Sequence, residues 1–193
     1  GSSAVGKDVA RKAVLAKLHM ELGGKCPGIV LADSNLELAA EECAKGAFKY
    51  SGQRCDAISR ILVVKDIYKP FIQKLCFYTK KWKVGDPMDP SVLIGPLINE
   101  KAIQKIEELV GDALQKGAKV EMGGKRGKGL FFEPTVLTNV TAAMRIAWEE
   151  TFGPVATVLK VEDYDEAIDI ANKSEYALDS SVFTQSNDRA LSA

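Results

Sequence analysis

The sequence predicts an α/β fold in which helices flank a largely parallel β-sheet. Amphipathic helical stretches alternate along the chain with short apolar stretches of strand length, and this alternation is typical of parallel sheets. The chain has 193 residues, of which 46% are hydrophobic, and this size suits one domain with a substantial core. No internal repeat or low-complexity tract divides the chain, so we expect a single domain over residues 1–193.

The helical periodicity predicts five helices. The fourth has the clearest pattern, because Ile103, Ile106 and Val110 fall on one face at helical spacing. Asp33 or Ser34 is the expected cap of the second helix. The five predicted helices span residues 4–17, 36–48, 66–81, 99–116 and 164–173.

Short apolar runs rich in β-branched residues predict the strands of the sheet. Between two of them, the Gly- and Lys-rich stretch 123–129 lacks the Lys-Ser/Thr ending of a phosphate-binding loop, which indicates a surface turn. The stretch 85–96 contains prolines without apolar periodicity and is expected to be a long loop. The predicted strands span residues 18–22, 28–32, 60–64, 120–122, 131–137, 154–161 and 180–184.

Charge and cysteine content argue against several classes of function. Lys and Arg together number 26, as do Asp and Glu, so the balanced charge gives no basis for a surface that binds nucleic acid or anionic membranes. No apolar run approaches the length of a transmembrane helix. The four cysteines lack C-x-x-C spacing, and we expect reduced thiols in a cytoplasmic protein. No metal site is predicted, because His19 is the only histidine.

The hexapeptide Tyr50–Cys55 is the most informative stretch for function. Its serine and glycine allow a sharp turn after the preceding helix, and such a turn can hold the thiol of Cys55 at the rim of the domain. Arg54 supplies a positive charge beside it, which favours the nucleophilic thiolate. The alternative is that Cys55 is a small core residue, as most free cysteines are. These residues alone leave both interpretations open.

Further motifs accompany this cysteine. Residues 21–25 (Glu-Leu-Gly-Gly-Lys) place a carboxylate before a Gly-Gly turn, 34 positions before Cys55. Residues 149–155 (Glu-Glu-Thr-Phe-Gly-Pro-Val) and the opening residues 1–7 complete the set. In this order and at about this spacing, the four motifs resemble those of aldehyde dehydrogenases. Residues 50–60 are especially similar to the non-phosphorylating glyceraldehyde-3-phosphate dehydrogenases, including their archaeal members.

The resemblance implies a Rossmann-like aldehyde dehydrogenase catalytic domain and gives roles to seven residues. It implies that Cys55 adds to the substrate carbonyl and that Glu21 is the general base that activates water against the resulting thioester. It also implies that Arg54 binds the phosphate of glyceraldehyde-3-phosphate. For the cofactor, NAD or NADP, it implies contacts from Gly1, Ser2, Glu150 and Phe152.

The motif at residues 21–25 leaves other interpretations of Glu21 and Lys25. Without the resemblance, a surface carboxylate that pairs with Lys25 is the commoner interpretation of Glu21. We expect Lys25 itself to be a solvated turn residue with modest structural value.

The resemblance also implies features of the whole protein. Family members are longer, so the chain is expected to be an excised catalytic domain, without the cofactor-binding half or the C-terminal oligomerisation segment, and with little or no activity by itself. The complete protein is expected to be a cytoplasmic homo-oligomer that oxidises glyceraldehyde-3-phosphate to 3-phosphoglycerate, a reaction of glycolysis. The alternatives are an aldehyde dehydrogenase with another substrate, a catalytically silent fragment, and a cofactor-free thiol esterase.

Overall fold

A six-stranded sheet forms the centre of the computed structural model, which describes all 193 residues. The strands are β1 (Cys26–Val30), β2 (Ile58–Val64), β3 (Lys119–Met122), β4 (Thr135–Thr138), β5 (Val155–Val161) and β6 (Ser181–Phe183). Their spatial order is β3-β4-β5-β2-β1-β6. Every neighbouring pair is parallel except β3 and β4, which are antiparallel. The predicted α/β fold with a largely parallel sheet is therefore confirmed.

Six helices accompany the sheet. They are α1 (Ser3–Lys12), α2 (Leu36–Phe48), α3 (Tyr68–Thr79), α4 (Glu100–Gln115), α5 (Tyr164–Asn172) and α6 (Asn187–Ser192). Short 3-10 turns lie at 49–52, 65–67 and 145–147. No helix combines the length and the apolarity that crossing a membrane requires.

The sheet separates two apolar cores. Successive side chains of a strand point to opposite faces, so Ile61 and Val63 of β2 pack with α2 and α3, whereas Leu62 and Val64 pack with α4 and α5. The buried stripe of α2 consists mainly of small side chains: Ala39, Ala40, Cys43, Ala44, Ala47 and Phe48. Burial of apolar area in both cores is the main force that holds the layers together.

The loop after β1 uses its polar residues differently from the prediction. Asn35, and not Asp33 or Ser34, caps α2, because its Oδ1 accepts hydrogen bonds from the backbone N–H of Glu37 and Leu38 at 3.1 and 3.2 Å. The Asp33 carboxylate instead accepts from Thr184 Oγ1 at 3.0 and 2.8 Å. Asp33 therefore fastens the β1–α2 loop to the end of β6.

Two predictions near the amino terminus are wrong. The first helix ends at Lys12 instead of continuing to residue 17, and Val14 takes a left-handed φ of 50° that no helix continues through. The predicted strand 18–22 does not form, since it pairs with no neighbouring strand and four of its five residues are exposed. A helical or apolar sequence pattern alone was thus not enough to form a helix or a strand where no other part of the chain packs against it.

Two differences lie later in the chain. The predicted strand 131–137 is confined to β4, because Phe132 makes only an isolated bridge to Arg126. Helix α6 was not predicted, and Ser186 caps it by accepting from the backbone N–H of Arg189 at 3.4 Å.

The three segments that carry the interior motifs meet at one edge of the sheet. Residues 21–25 precede β1, residues 50–57 precede β2 and residues 149–154 precede β5. These three strands are adjacent and parallel, in the order β5-β2-β1. The motifs therefore lie together at the amino ends of the strands, opposite to the carboxyl ends where open parallel sheets commonly bind ligands.

Candidate active site

The turn before Cys55 has a rare backbone conformation. Tyr50, Ser51 and Gly52 have consecutive φ angles of 55°, 59° and 66°. In this left-handed region a non-glycine residue costs about 1–3 kcal/mol. At Gly52 no larger residue fits, because a Cβ atom would lie 2.1 Å from the backbone oxygen of Gly153. The turn is thus packed against the segment that precedes β5.

Hydrogen bonds to a neighbouring loop hold this turn. Ser51 Oγ donates to the backbone oxygen of Gly95 at 3.1 Å. The Gln53 amide donates to the backbone oxygen of Pro96 at 3.3 Å and accepts from the backbone N–H of Ile98 at 2.9 Å. These contacts offset the backbone strain and fix where the chain delivers Cys55.

Cys55 is the cysteine best placed for reaction. Cys26 and Cys43 are buried, whereas Cys55 and Cys76 are partly exposed. Burial raises the pKa of Cys26 to about 11 and raises the pKa of Cys43 and of Cys76. The backbone N–H of Cys55 donates to no protein acceptor. A thiol and a free N–H donor therefore stand together at this position.

Glu21 lines the same region as Cys55. Its carboxylate is 73% exposed, and its one polar contact is with His19 Nε2 at 3.3 Å. The backbone nitrogen of Gly1 donates to the backbone oxygen of Glu21 at 2.7 Å. Ser2 caps α1 by accepting from the backbone N–H of Val5 at 3.3 Å. The start of α1 is thereby joined to the segment that carries the carboxylate.

Gly24 connects the Cys55 turn with Glu150. Its backbone N–H donates to Glu150 Oε1 at 3.0 Å, and a Cβ atom here would lie 2.0 Å from the backbone oxygen of Cys55. Phe152, two residues after Glu150, has a left-handed φ of 52° and is 39% exposed. This aromatic side chain is therefore kept out of the core, at the surface of the site.

One cleft of about 640 Å³ brings these residues together. Its lining contains all seven residues that the sequence singled out, namely Gly1, Ser2, Glu21, Arg54, Cys55, Glu150 and Phe152. Leu22, Gly23, Tyr50 and Gln53 complete the lining, and the sequence analysis gave none of these a role as a site residue. Residues up to 151 positions apart in the chain thus line one cleft.

Arg54 is more strongly engaged than the sequence suggested. Its Nη2 donates to the backbone oxygen of Gly46 at 2.9 Å, and its Nη1 lies 3.3 Å from Asp56 Oδ2. The Arg54 side chain is 21% exposed, and its buried Nε has no partner. The guanidinium therefore bridges the end of α2 and the residue after Cys55 while it lines the cleft.

Comparison with known proteins decides the family. The family model described as "Aldehyde dehydrogenase family" matches residues 1–193, the whole chain. The chain belongs to the aldehyde dehydrogenase family.

Relatives within the aldehyde dehydrogenase family carry several substrate names. Retinaldehyde dehydrogenase 3 of Homo sapiens is 44% identical over 196 residues, which cover 99% of this chain and 38% of that protein. The NADP-dependent glyceraldehyde-3-phosphate dehydrogenase of Bacillus halodurans C-125, solved with NADP, is 42% identical with a TM-score of 0.93, over 100% of this chain and 40% of that chain. Betaine aldehyde dehydrogenase of Staphylococcus aureus, solved with NAD⁺, is 40% identical with a TM-score of 0.93 over the same shares.

Two facts follow from these comparisons. The chain spans about two fifths of the length of the relatives that it matches. Their names cover a neutral, an anionic and a cationic aldehyde, so membership in the aldehyde dehydrogenase family does not by itself select glyceraldehyde-3-phosphate.

Lys25 is the main residue beneath the aldehyde dehydrogenase cleft that sequence reasoning misjudged. It is 1% exposed, so the expectation of a solvated turn residue is wrong. Burial, together with the nearby charges of Arg60 and Lys105, lowers the pKa of Lys25 to about 7. Its Nζ donates to Thr151 Oγ1 at 3.1 Å. The signal that could have indicated burial is its place directly before β1, a strand buried along its whole length.

Proposed function

We propose that residues 1–193 are the catalytic domain of an NAD(P)-dependent aldehyde dehydrogenase that oxidises an aldehyde to a carboxylic acid. The observation that carries the proposal is the single cleft whose lining contains both Cys55 and Glu21. A nucleophile and a general base are the two protein groups that thioester formation and hydrolysis require.

The residues of the cleft fit one end of a dinucleotide. The first turn of α1 leaves backbone N–H groups without helical partners, and such groups suit a pyrophosphate; Gly1 and Ser2 stand at this turn. The Glu150 carboxylate can accept hydrogen bonds from ribose hydroxyls, and the exposed ring of Phe152 offers a surface for the nicotinamide. When bound there, the nicotinamide supplies the oxidant, because it accepts the hydride that leaves the substrate carbon.

Cys55 begins the reaction in this proposal. Its thiolate adds to the carbonyl carbon and forms a carbon–sulfur bond, which places negative charge on the carbonyl oxygen. The backbone N–H of Cys55, free of any protein acceptor, can donate to that oxygen and stabilise the thiohemiacetal anion. Loss of the hydride leaves the acyl group as a thioester on Sγ.

Glu21 completes the reaction. Its exposed carboxylate has water on most of its surface and contacts only His19, so it can accept a proton from a water molecule that attacks the thioester. The carbon–sulfur bond then breaks, the carboxylic acid leaves, and the thiolate of Cys55 is restored. Glu21 loses its proton to solvent.

Glyceraldehyde-3-phosphate is the substrate that we favour, with 3-phosphoglycerate as product. Arg54 is a fixed cation in the lining of the cleft, next to Cys55, and a guanidinium matches the geometry of a phosphate. A cation at this position repels a cationic aldehyde and gives no advantage to a neutral one. An aldehyde dehydrogenase of another anionic substrate is the alternative.

The complete protein is proposed to act in the cytoplasm as a homo-oligomer. All four cysteines are free thiols, which suits a reducing compartment. The oligomeric state rests on the family resemblance alone and is checked by light scattering on the complete protein.

A burst experiment tests the proposed function. In the complete enzyme, Glu21→Gln should still release one equivalent of reduced cofactor from glyceraldehyde-3-phosphate, because thioester formation needs no general base for water. Steady-state turnover should fall on the order of 10²-fold or more, the effect typical of removing a general base. Stopped-flow absorbance of the reduced cofactor separates the two phases.

The exposed Glu175→Gln is the matched control and should leave both phases unchanged. Normal turnover in Glu21→Gln would exclude Glu21 as the base. Wild-type enzyme that reduces no cofactor with any aldehyde would remove the proposed function altogether.

A further inference from the structure

A second cleft lies on the other side of Arg54. Its volume is about 340 Å³, and its lining includes Glu42, Lys45, Lys49, Arg54 and Ser181. Arg54 is the residue that this cleft shares with the cleft of Cys55. The guanidinium of Arg54 thus belongs to both clefts: the one lined by the nucleophile Cys55 and the one lined by Lys45 and Lys49.

The second cleft has an excess of positive charge. Lys45 is paired with Glu42 at 3.2 Å, and Arg54 lies 3.3 Å from Asp56. Lys49 has no ion pair, and its ammonium lies 5.2 Å from the centroid of the Tyr50 ring. Three cations and one carboxylate therefore line the volume, and one of the cations has no ionic partner.

Helix α2 sets the arrangement of these charges. Glu42 and Lys45 are three residues apart and lie on one face of α2. That face is opposite to the small buried side chains of α2. Lys49, the first residue after the helix, follows Lys45 by four positions. The hydrogen bond from Arg54 to the backbone oxygen of Gly46 holds the guanidinium at the end of α2. Gly46 stands between Lys45 and Lys49 in the chain.

We propose that Lys45 and Lys49 act with Arg54 as a binding site for the phosphate of a short phosphorylated aldehyde whose carbonyl carbon lies at Cys55. The proposal rests on the proposed function, and it adds two specificity-determining residues. A phosphate dianion is the ligand that three cations lining one cleft favour over a monoanionic carboxylate. Lysines act as mobile point charges that can adjust to the tail of the substrate, whereas Arg54 offers a planar fork.

Binding of an unreactive ligand tests the site without catalysis. Glycerol 3-phosphate carries the phosphate but no aldehyde, and calorimetry on the complete wild-type enzyme gives its Kd. Because both lysines are exposed, Lys45→Met and Lys49→Met should each weaken binding about three- to ten-fold, and the double variant should weaken it more. Arg54→Gln should weaken it roughly ten- to a hundred-fold. Higher ionic strength should weaken the binding of glycerol 3-phosphate to the wild type more than to any of these variants.

Lys69→Met is the matched control, because Lys69 is exposed on α3, lines neither cleft and has no ion pair; its Kd should equal that of the wild type. In steady-state assays the lysine variants should lose the same factors in kcat/KM for glyceraldehyde-3-phosphate and less than about two-fold for unphosphorylated glyceraldehyde.

The outcomes separate this proposal from the proposed function. If the lysine variants bind glycerol 3-phosphate as tightly as the wild type, the site is wrong even if the enzyme oxidises glyceraldehyde-3-phosphate. If the lysines control binding but no aldehyde is oxidised, the phosphate site stands and the proposed function fails. Higher kcat/KM for succinate semialdehyde than for glyceraldehyde-3-phosphate would overturn the choice of phosphate.

Discussion

Burial divides the four thiols of the chain into two kinds. Cys26 and Cys43 lie inside the fold, where an apolar environment opposes the thiolate. Cys55 lies at the surface of a cleft, on a turn whose backbone is held by hydrogen bonds to the 95–98 segment. Reactivity at the residue scale therefore follows from where the turn delivers the side chain, since all four side chains are chemically identical.

Alkylation should reveal this difference. Limiting iodoacetamide at mildly alkaline pH should label Cys55 first and Cys76 second, because raised pKa values and burial protect Cys26 and Cys43. Peptide mapping by mass spectrometry measures the order, and urea-unfolded chain, in which all four thiols should react at similar rates, is the control. Earlier labelling of Cys26 or Cys43 would contradict the assignment of Cys55.

Elements were predictable where both faces of a strand are buried. β2 and β5 begin within two residues of their predicted starts and end where predicted, because long apolar runs bounded by turn residues admit few alternatives. The segment 18–22 also contains apolar residues (Leu18, Met20 and Leu22) but has no partner strand, and local composition cannot report a missing partner. The same limit applies to Lys25, whose burial depends on β1 and on Thr151, 126 positions away.

The segment that contains Gly24 is the element whose packing is most sensitive to side-chain size. Gly24→Ala would place a Cβ atom 2.0 Å from the backbone oxygen of Cys55, so backbone must move and the free energy of unfolding should fall by about 1–3 kcal/mol or more. Chemical denaturation measures this change. Gly111→Ala in α4 is the matched control, since no atom lies within 4 Å of its added Cβ, and it should raise stability by about 0.5–1 kcal/mol.

If Gly24→Ala is as stable as the wild type, the close contact between this segment and the Cys55 turn is wrong. Retained stability together with slower labelling of Cys55 would instead mean that the turn moves to accept the methyl group.

At the scale of the whole molecule, the site lies at the amino edge of β1, β2 and β5. The seven site residues could be named from the sequence, because the motifs that contain them are contiguous and specific. Their convergence on one cleft could not, since it requires the strand order of the sheet. The lysines at the end of α2 were missed for the same reason: Lys45 and Lys49 become part of a cleft only when Arg54 and β6 complete its lining.

Buried Lys25 should make global stability depend on pH. Its folded pKa of about 7 lies below the ordinary lysine pKa of 10.5, so the unfolded chain binds more protons between these values and stability rises with pH across that window. Below pH 7 the folded protein carries a charged Lys25, and the free-energy cost of burying that charge is then fully present. At about 1.4 kcal/mol per pKa unit, the free energy of unfolding should rise by about 3–5 kcal/mol as Lys25 becomes neutral.

Lys25→Met should remove this contribution to the slope, while the lost bond to Thr151 costs about 1 kcal/mol. Urea unfolding of wild type and variant at several pH values between about 6 and 10 measures the difference between the two curves, so that other titrating groups cancel. Parallel curves would mean that Lys25 keeps an ordinary pKa in the folded protein.

The separation of the two cores by the sheet has an evolutionary consequence. Lys45 on α2 is solvent-exposed, as is Lys49 directly after the helix, and the buried face of α2 packs into only one of the two cores. Mutations on the exposed face of α2 can therefore accumulate without repacking either core. In a lineage built on this domain, this part of the surface can diversify while the fold beneath it is inherited unchanged.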